Sequence, residues 1–71
     1  PDLELFCPST ATKSGNNEAI FIELKAKRGV MNENQRRMRD QIIEAGFSWA
    51  LCKSIEDVTA FLTPLVKLKV K

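Results

Sequence analysis

Apolar and polar residues alternate with a period of two at the front of the chain and again near residue 20, and with a period close to 3.6 in two later stretches. Successive side chains of a strand face opposite sides, whereas a helix brings positions three and four apart onto one stripe. Asp2 to Phe6 therefore reads as a short strand with Leu3 and Leu5 on one face and Asp2 on the other. Residues 7–17, rich in Ser, Thr, Asn, Pro and Gly, read as a polar connection expected to be mobile. Ala19 to Ala26 is rich in β-branched and aromatic residues, as a buried strand would be, and with the first strand it forms a long-looped hairpin.

Lys27-Arg28-Gly29 ends that strand. Asn32 is then a good helix N-cap, with Gln35 at the third helical position of a capping-box variant and Val30 or Met31 available to staple the turn. Met38, Ile42 and Ala45 recur as an apolar stripe that Ile43 broadens, and Gly46 stands where a left-handed residue closes a helix. Phe47 to Cys52 reads as a third strand, and the strand, helix, strand order favours a parallel crossover. Ser54 with Asp57 opens a second helix whose Val58, Phe61, Leu62 and Leu65 cover one sheet face, with Pro64 near its end. Val66 to Lys71 alternates apolar and basic residues, as an exposed strand or a frayed basic tail would. The class is α/β.

Seventy-one residues make one domain, and a chain this short buries only about 60% of its unfolded surface, so its core is small. Cys7 and Cys52 occur without any histidine, which argues against a Cys/His zinc site and against thiol catalysis. Free thiols are the expectation, with a Cys7 to Cys52 disulfide as the open alternative. No run of about 20 apolar residues spans a bilayer and no secretory leader pattern is present, so a soluble cytoplasmic protein is expected. Net charge is only +2, but Lys25, Lys27, Arg28, Arg36, Arg37 and Arg39 fall close together, which makes the local field positive.

The chemistry concentrates in Phe21-Ile22-Glu23-Leu24-Lys25. Alternation sends Glu23 and Lys25 to one side and Ile22 and Leu24 to the other. If the first strand pairs alongside, Asp2 joins Glu23, and two carboxylates with the Leu24 carbonyl suit a hard cation such as Mg2+ or Mn2+. Lys25 then orients a water and offsets charge on a phosphodiester under attack. By itself Glu-x-Lys is weak evidence, since an exposed ion pair of this kind contributes under about 1 kcal/mol. Phe21 beside it argues for a partly buried face. Gln35 has two readings, helix capping or contact with a metal-bound water or carboxylate. Lys27, Arg28, Arg36, Arg37 and Arg39 read as a solvated helix face in isolation and as phosphate contacts beside a metal site.

Pro1-Asp2, the Phe21-Ile22-Glu23-Leu24-Lys25-Ala26 run, Gly29, Gln35, Gly46 and Ser54-x-x-Asp57 together resemble the virus-type replication-repair nuclease domain, VRR-NUC, of the PD-(D/E)xK superfamily. The resemblance extends from Pro1 to about Leu62. It implies a small restriction-endonuclease-like mixed sheet and a Mg2+- or Mn2+-dependent DNA endonuclease with Asp2 and Glu23 as metal ligands, Lys25 as catalytic lysine and Gln35 as the helix glutamine. It also implies a homodimer acting on branched DNA such as Holliday junctions, in a phage-infected or bacterial cell, or in a nucleus if fused into a eukaryotic repair protein. Family members carry an N-terminal helix before the Pro-Asp pair that often adds an acidic ligand. Against that pattern the chain is expected to be a fragment, residues 1–71 forming one truncated domain that pairs with a missing N-terminal segment. The competing expectation is a non-catalytic DNA-binding or assembly module.

Overall fold

The computed structural model describes residues 1–67. Its elements are β1 (Leu3–Cys7), a 3-10 turn (Ser9–Ala11), β2 (Glu18–Leu24), α1 (Glu33–Glu44), β3 (Ser48–Cys52) and α2 (Ile55–Leu62). The fold is a three-stranded mixed sheet in the order β1-β2-β3 with two helices. β1 pairs antiparallel with β2, Leu3 opposite Ile22 and Cys7 opposite Glu18. β3 pairs parallel with β2, Ile20 opposite Ser48 and Leu24 opposite Cys52. Hairpin and parallel crossover thus follow the sequence expectation, with each strand boundary within one or two residues of it.

The register sorts the sheet into two faces. Ile20, Ile22 and Cys52 are buried on one, where Leu5, Cys7, Ala50, Val58, Phe61, Leu62, Leu65 and Val66 pack against them. Burial of each isoleucine contributes about 1.5–3 kcal/mol. Val58, Phe61, Leu62 and Leu65 therefore do cover a sheet face, held by a cap in which Ser54 Oγ accepts the Asp57 N–H at 3.1 Å. Asp57 departs from the reciprocal box: its Oδ2 accepts from the Lys53 N–H at 2.9 Å. The helix ends at Leu62, before Pro64.

The opposite face carries Phe21, Glu23, Trp49 and Leu51, and here α1 packs against β3. Arg39 lies 6.0 Å above the Trp49 ring, and Phe21 and Phe47 meet at 5.9 Å and 59°. The α1 stripe is narrower than its sequence suggests. Ile42 is buried, but Met38, Ile43 and Ala45 are exposed, because α1 packs mainly on β3 at one side of the sheet. Met31 is buried ahead of the helix while Val30 is exposed, so Met31 alone serves the turn. Gly46, at φ 89°, ends α1. Its N–H donates to Ile43 O at 3.0 Å and the Phe47 N–H donates to Ile42 O at 3.1 Å, the paired bonds of a Schellman cap.

Residues 8–17 are not the loose connection their polarity suggests. Thr12 is fully buried, its hydroxyl donates to Asn16 O at 2.6 Å, and Asn17 Oδ1 accepts the Ser9 N–H at 2.8 Å. Thr12 also forms an antiparallel bridge with Val66, flanked by Lys13 N–H to Leu65 O and Lys67 N–H to Ala11 O, both 2.9 Å. The start of the basic tail is thereby tied to this connection; residues 68–71 of the alternating run lie outside the described residues.

Both cysteines are free. Cys7 stands opposite Glu18 and Cys52 opposite Leu24, six residues apart along β2. At about 3.3 Å per residue that is roughly 20 Å, far beyond the roughly 7 Å limit between Cα atoms of a disulfide. The open alternative of a bridge is removed.

Candidate metal and phosphate site

One step beyond the Leu3 and Ile22 pair, the Asp2 N–H donates to Ile22 O at 3.1 Å. This ties Asp2 to β2 just past the last ladder pair, one residue out of the register of Leu3 with Ile22, with Glu23 as a neighbour. The Asp2 carboxylate is fixed by the strand itself, Oδ2 accepting the Leu24 N–H at 2.8 Å. Glu23 is only 6% exposed, with its Oε1 4.0 Å from the Pro1 nitrogen. Two acid side chains thus share one end of one face.

Their protonation is pulled in opposite directions. The Leu24 N–H, then a hydrogen bond with Glu23 and the positive field of Lys25, hold Asp2 below the usual carboxylate range. Burial, then the adjacent Asp2, pushes Glu23 above it. The two carboxyls are thereby pushed to opposite sides of the usual range, Glu23 first by its burial and then because two like charges this close resist joint ionisation. Lys25 follows directly, its N–H donating to Cys52 O at 3.1 Å so that the β2–β3 ladder runs one step past Leu24. The structure therefore brings Asp2, Glu23, Leu24 and Lys25 together at the carboxyl end of β2.

The remaining sequence candidates are placed differently. Gln35 is a capping residue: its N–H donates to Asn32 Oδ1 at 2.8 Å and its Oε1 accepts the Asn32 N–H at 3.0 Å. Arg37 pairs with Glu33 at 3.3 Å, and Arg39 pairs with Asp40 at 2.9 Å beneath its contact with Trp49. Among the described residues, Lys27, Arg28 and Arg36 form no ion pair and are exposed. One basic residue escaped the sequence reading. Lys53, the first residue after β3, donates from Nζ to Lys27 O at 3.1 Å. Its proximity depends on the parallel register, which local sequence does not encode.

The donor set fits a hard divalent ion in a limited way. Mg2+ is commonly held by one or two carboxylates, with the remaining positions filled by water and substrate phosphate. Asp2 and Glu23 meet that minimum, and a cation would relieve the repulsion between the two carboxyls. No cluster of three or more acidic, cysteine or histidine side chains suited to a metal is present among the described residues. No helix there is long and apolar enough to cross a membrane. No family model, curated protein or solved structure matches the chain.

Proposed function

We propose that this chain carries a Mg2+- or Mn2+-dependent DNA endonuclease site of the PD-(D/E)xK type, within a VRR-NUC-like arrangement that acts on branched DNA as a homodimer. The observation that carries the reading is the apposition of Asp2, fixed on the Leu24 N–H, with the buried Glu23, next to Lys25. A buried carboxylate placed against a second one is costly to the fold, and such a cost is characteristic of sites built for chemistry. Asp2, Glu23 and the Leu24 carbonyl would hold the ion. When bound, it would polarise a phosphate oxygen and acidify a water.

The residues of the chain supply the rest. The Leu24 N–H fixes one oxygen of the Asp2 carboxylate and leaves the other free for a bound cation. Lys25 orients the attacking water and offsets the charge that grows on the phosphoryl oxygens. Gln35 Oε1 is engaged with Asn32, which leaves contact with water or carboxylate to its amide donors. Lys27, Arg28 and Arg36 take up backbone phosphates.

Incubation of the protein with a labelled four-way junction tests this reading. Cleavage should require Mg2+ or Mn2+, be lost with EDTA and with Glu23→Gln, and fall steeply to a measurable residual rate with Lys25→Ala. Cleavage indifferent to EDTA or to Lys25→Ala would overturn it. A second reading, an assembly module, is favoured by Phe6 at 74% exposure and Phe47 at 47%, which border one open apolar depression. It predicts self-association in sedimentation that DNA does not alter, with no cleavage in any metal.

A further inference from the structure

The segment after β2 folds back on Lys25. The Gly29 N–H donates to Ala26 O at 2.7 Å, closing a tight turn. A Cβ placed on Gly29 would lie 3.1 Å from Lys25 Cβ and 3.1 Å from Ala26 O, so the Gly29 backbone rests directly on the stem of the Lys25 side chain. The far side of the turn is held by Lys53, whose Nζ donates to Lys27 O at 3.1 Å. Lys53 is itself anchored, its N–H donating to Asp57 Oδ2 at 2.9 Å in the first turn of α2. Lys25 is thus contacted by the returning Gly29 backbone, in a turn that Lys53, distant in sequence, ties down at the Lys27 carbonyl.

We propose that Lys53 and Gly29 are positioning residues for Lys25. Lys53 pins the loop apex across the adjoining ends of the two parallel strands, and Gly29 lets the returning backbone approach closely enough to fix where the Lys25 stem leaves the sheet. The inference rests on Lys25 being the working amine of the reading above. A solvent-exposed ammonium bonded to a carbonyl adds little to stability, because water competes for both groups. A misplacement of about 1 Å in a reacting group lowers rate by about 100-fold. A brace of this kind is therefore nearly silent in unfolding and prominent in turnover.

The experiment compares Lys53→Met, Lys53→Arg and Gly29→Ala in the full chain, alone and combined with Lys25→Ala. Lys53→Met should lower kcat on the four-way junction by about 10- to 100-fold with KM nearly constant. Lys53→Arg, which retains a reaching donor, should restore most of the rate, and Gly29→Ala should lower it by displacing Lys25. Neither Lys53→Met nor Gly29→Ala should reduce the rate further in the Lys25→Ala background, because both act through Lys25. An unchanged kcat in Lys53→Met, or losses that add to that of Lys25→Ala, would overturn the proposal. A wild-type protein that does not cleave refutes the nuclease reading and leaves the brace to be judged by NMR. A Gly29 Hα to Lys25 Hβ cross-peak lost in Lys53→Met and recovered in Lys53→Arg supports it, and a cross-peak that persists in Lys53→Met overturns it.

Discussion

Asp2 and Leu24 are joined by a 2.8 Å hydrogen bond from main-chain amide to carboxylate across 22 positions of sequence. That bond holds the Asp2 carboxyl below its ordinary range, while Glu23 is raised first by its burial. The same bond stabilises the ionised form of Asp2, and an ionised Asp2 in turn makes ionisation of its buried neighbour Glu23 harder. Two carboxyl groups of similar intrinsic acidity are thereby driven apart by their surroundings, a pattern that separates acid from base in many reaction centres.

Replacing Glu23 by Gln should make the metal-free protein more stable at neutral and alkaline pH. The carboxyl of folded Glu23 is a weaker acid than its ordinary value of 4.5, so its contribution to stability is complete below about pH 4.5 and is lost as pH rises through the raised value. Asp2 acts oppositely: its contribution is present above 3.8 and is lost as pH falls through the depressed value. The Glu23→Gln variant should melt close to wild type near pH 4 and above it at pH 8. A gain of about 1 kcal/mol, or roughly 4–8 °C in Tm, is the expected scale. Calorimetry in chelator reads it; a variant less stable than wild type at pH 8 would contradict the buried-charge account.

The two thiols should differ sharply toward an alkylating reagent. Cys7 is half-buried on an edge strand, whereas Cys52 is 1% exposed and its thiol is pushed above the ordinary range by burial and then by Asp57. Cys7 should react under native conditions and Cys52 only after unfolding, with rates separated by at least about 100-fold. Mass spectrometry of partly labelled protein distinguishes the sites. Equal rates, or an intramolecular bridge after mild oxidation, would be inconsistent with the register.

Much of this arrangement was legible because its determinants are local. Asn32 with Gln35, Ser54 with Asp57, and Gly46 announce helix ends through bonds made within a few residues. Alternation placed Glu23 opposite Ile22 in facing, and the hairpin then brings Asp2 to the same end of β2. The misreadings all involve nonlocal packing. Met38, Ile43 and Ala45 keep helical spacing, but whether a stripe is buried depends on where the helix lies on the sheet beneath it. Thr12 looks like any loop threonine until the Val66 bridge covers it. Lys53 becomes a neighbour of the Lys27 carbonyl only once the two parallel strands are set side by side.

Gln35 allows capping and chemistry to be separated. Asn32→Ala and Gln35→Ala each remove one half of the reciprocal pair and should cost about 1 kcal/mol in denaturant unfolding. Gln35→Glu retains an acceptor for the Asn32 N–H and adds a charge that a helix N-terminus favours, so stability should be unchanged within about 0.5 kcal/mol. It nevertheless removes the amide donors. Junction cleavage should fall about 10-fold in Gln35→Glu if those donors serve the site, as the proposed mechanism requires. Wild-type turnover in a fully stable Gln35→Glu protein would confine this residue to the cap.

The basic residues should divide into two groups when binding is titrated with salt. Arg37 and Arg39 already have carboxylate partners, and Arg39 also lies over Trp49. Lys27, Arg28 and Arg36 have none among the described residues, and their positive charge is available to phosphates. Replacing any one of these three by Ala should reduce the slope of log binding constant against log salt by about 0.9. Arg39→Ala should leave that slope in place and instead cost about 0.5–1 kcal/mol of stability, because the guanidinium no longer covers the indole ring. Fluorescence anisotropy with a labelled junction in Ca2+, across a range of salt, measures the slopes. Identical slopes for wild type and for the triple variant of Lys27, Arg28 and Arg36 would remove this segment from the interface, because uncharged or specific contacts to bases do not release counterions.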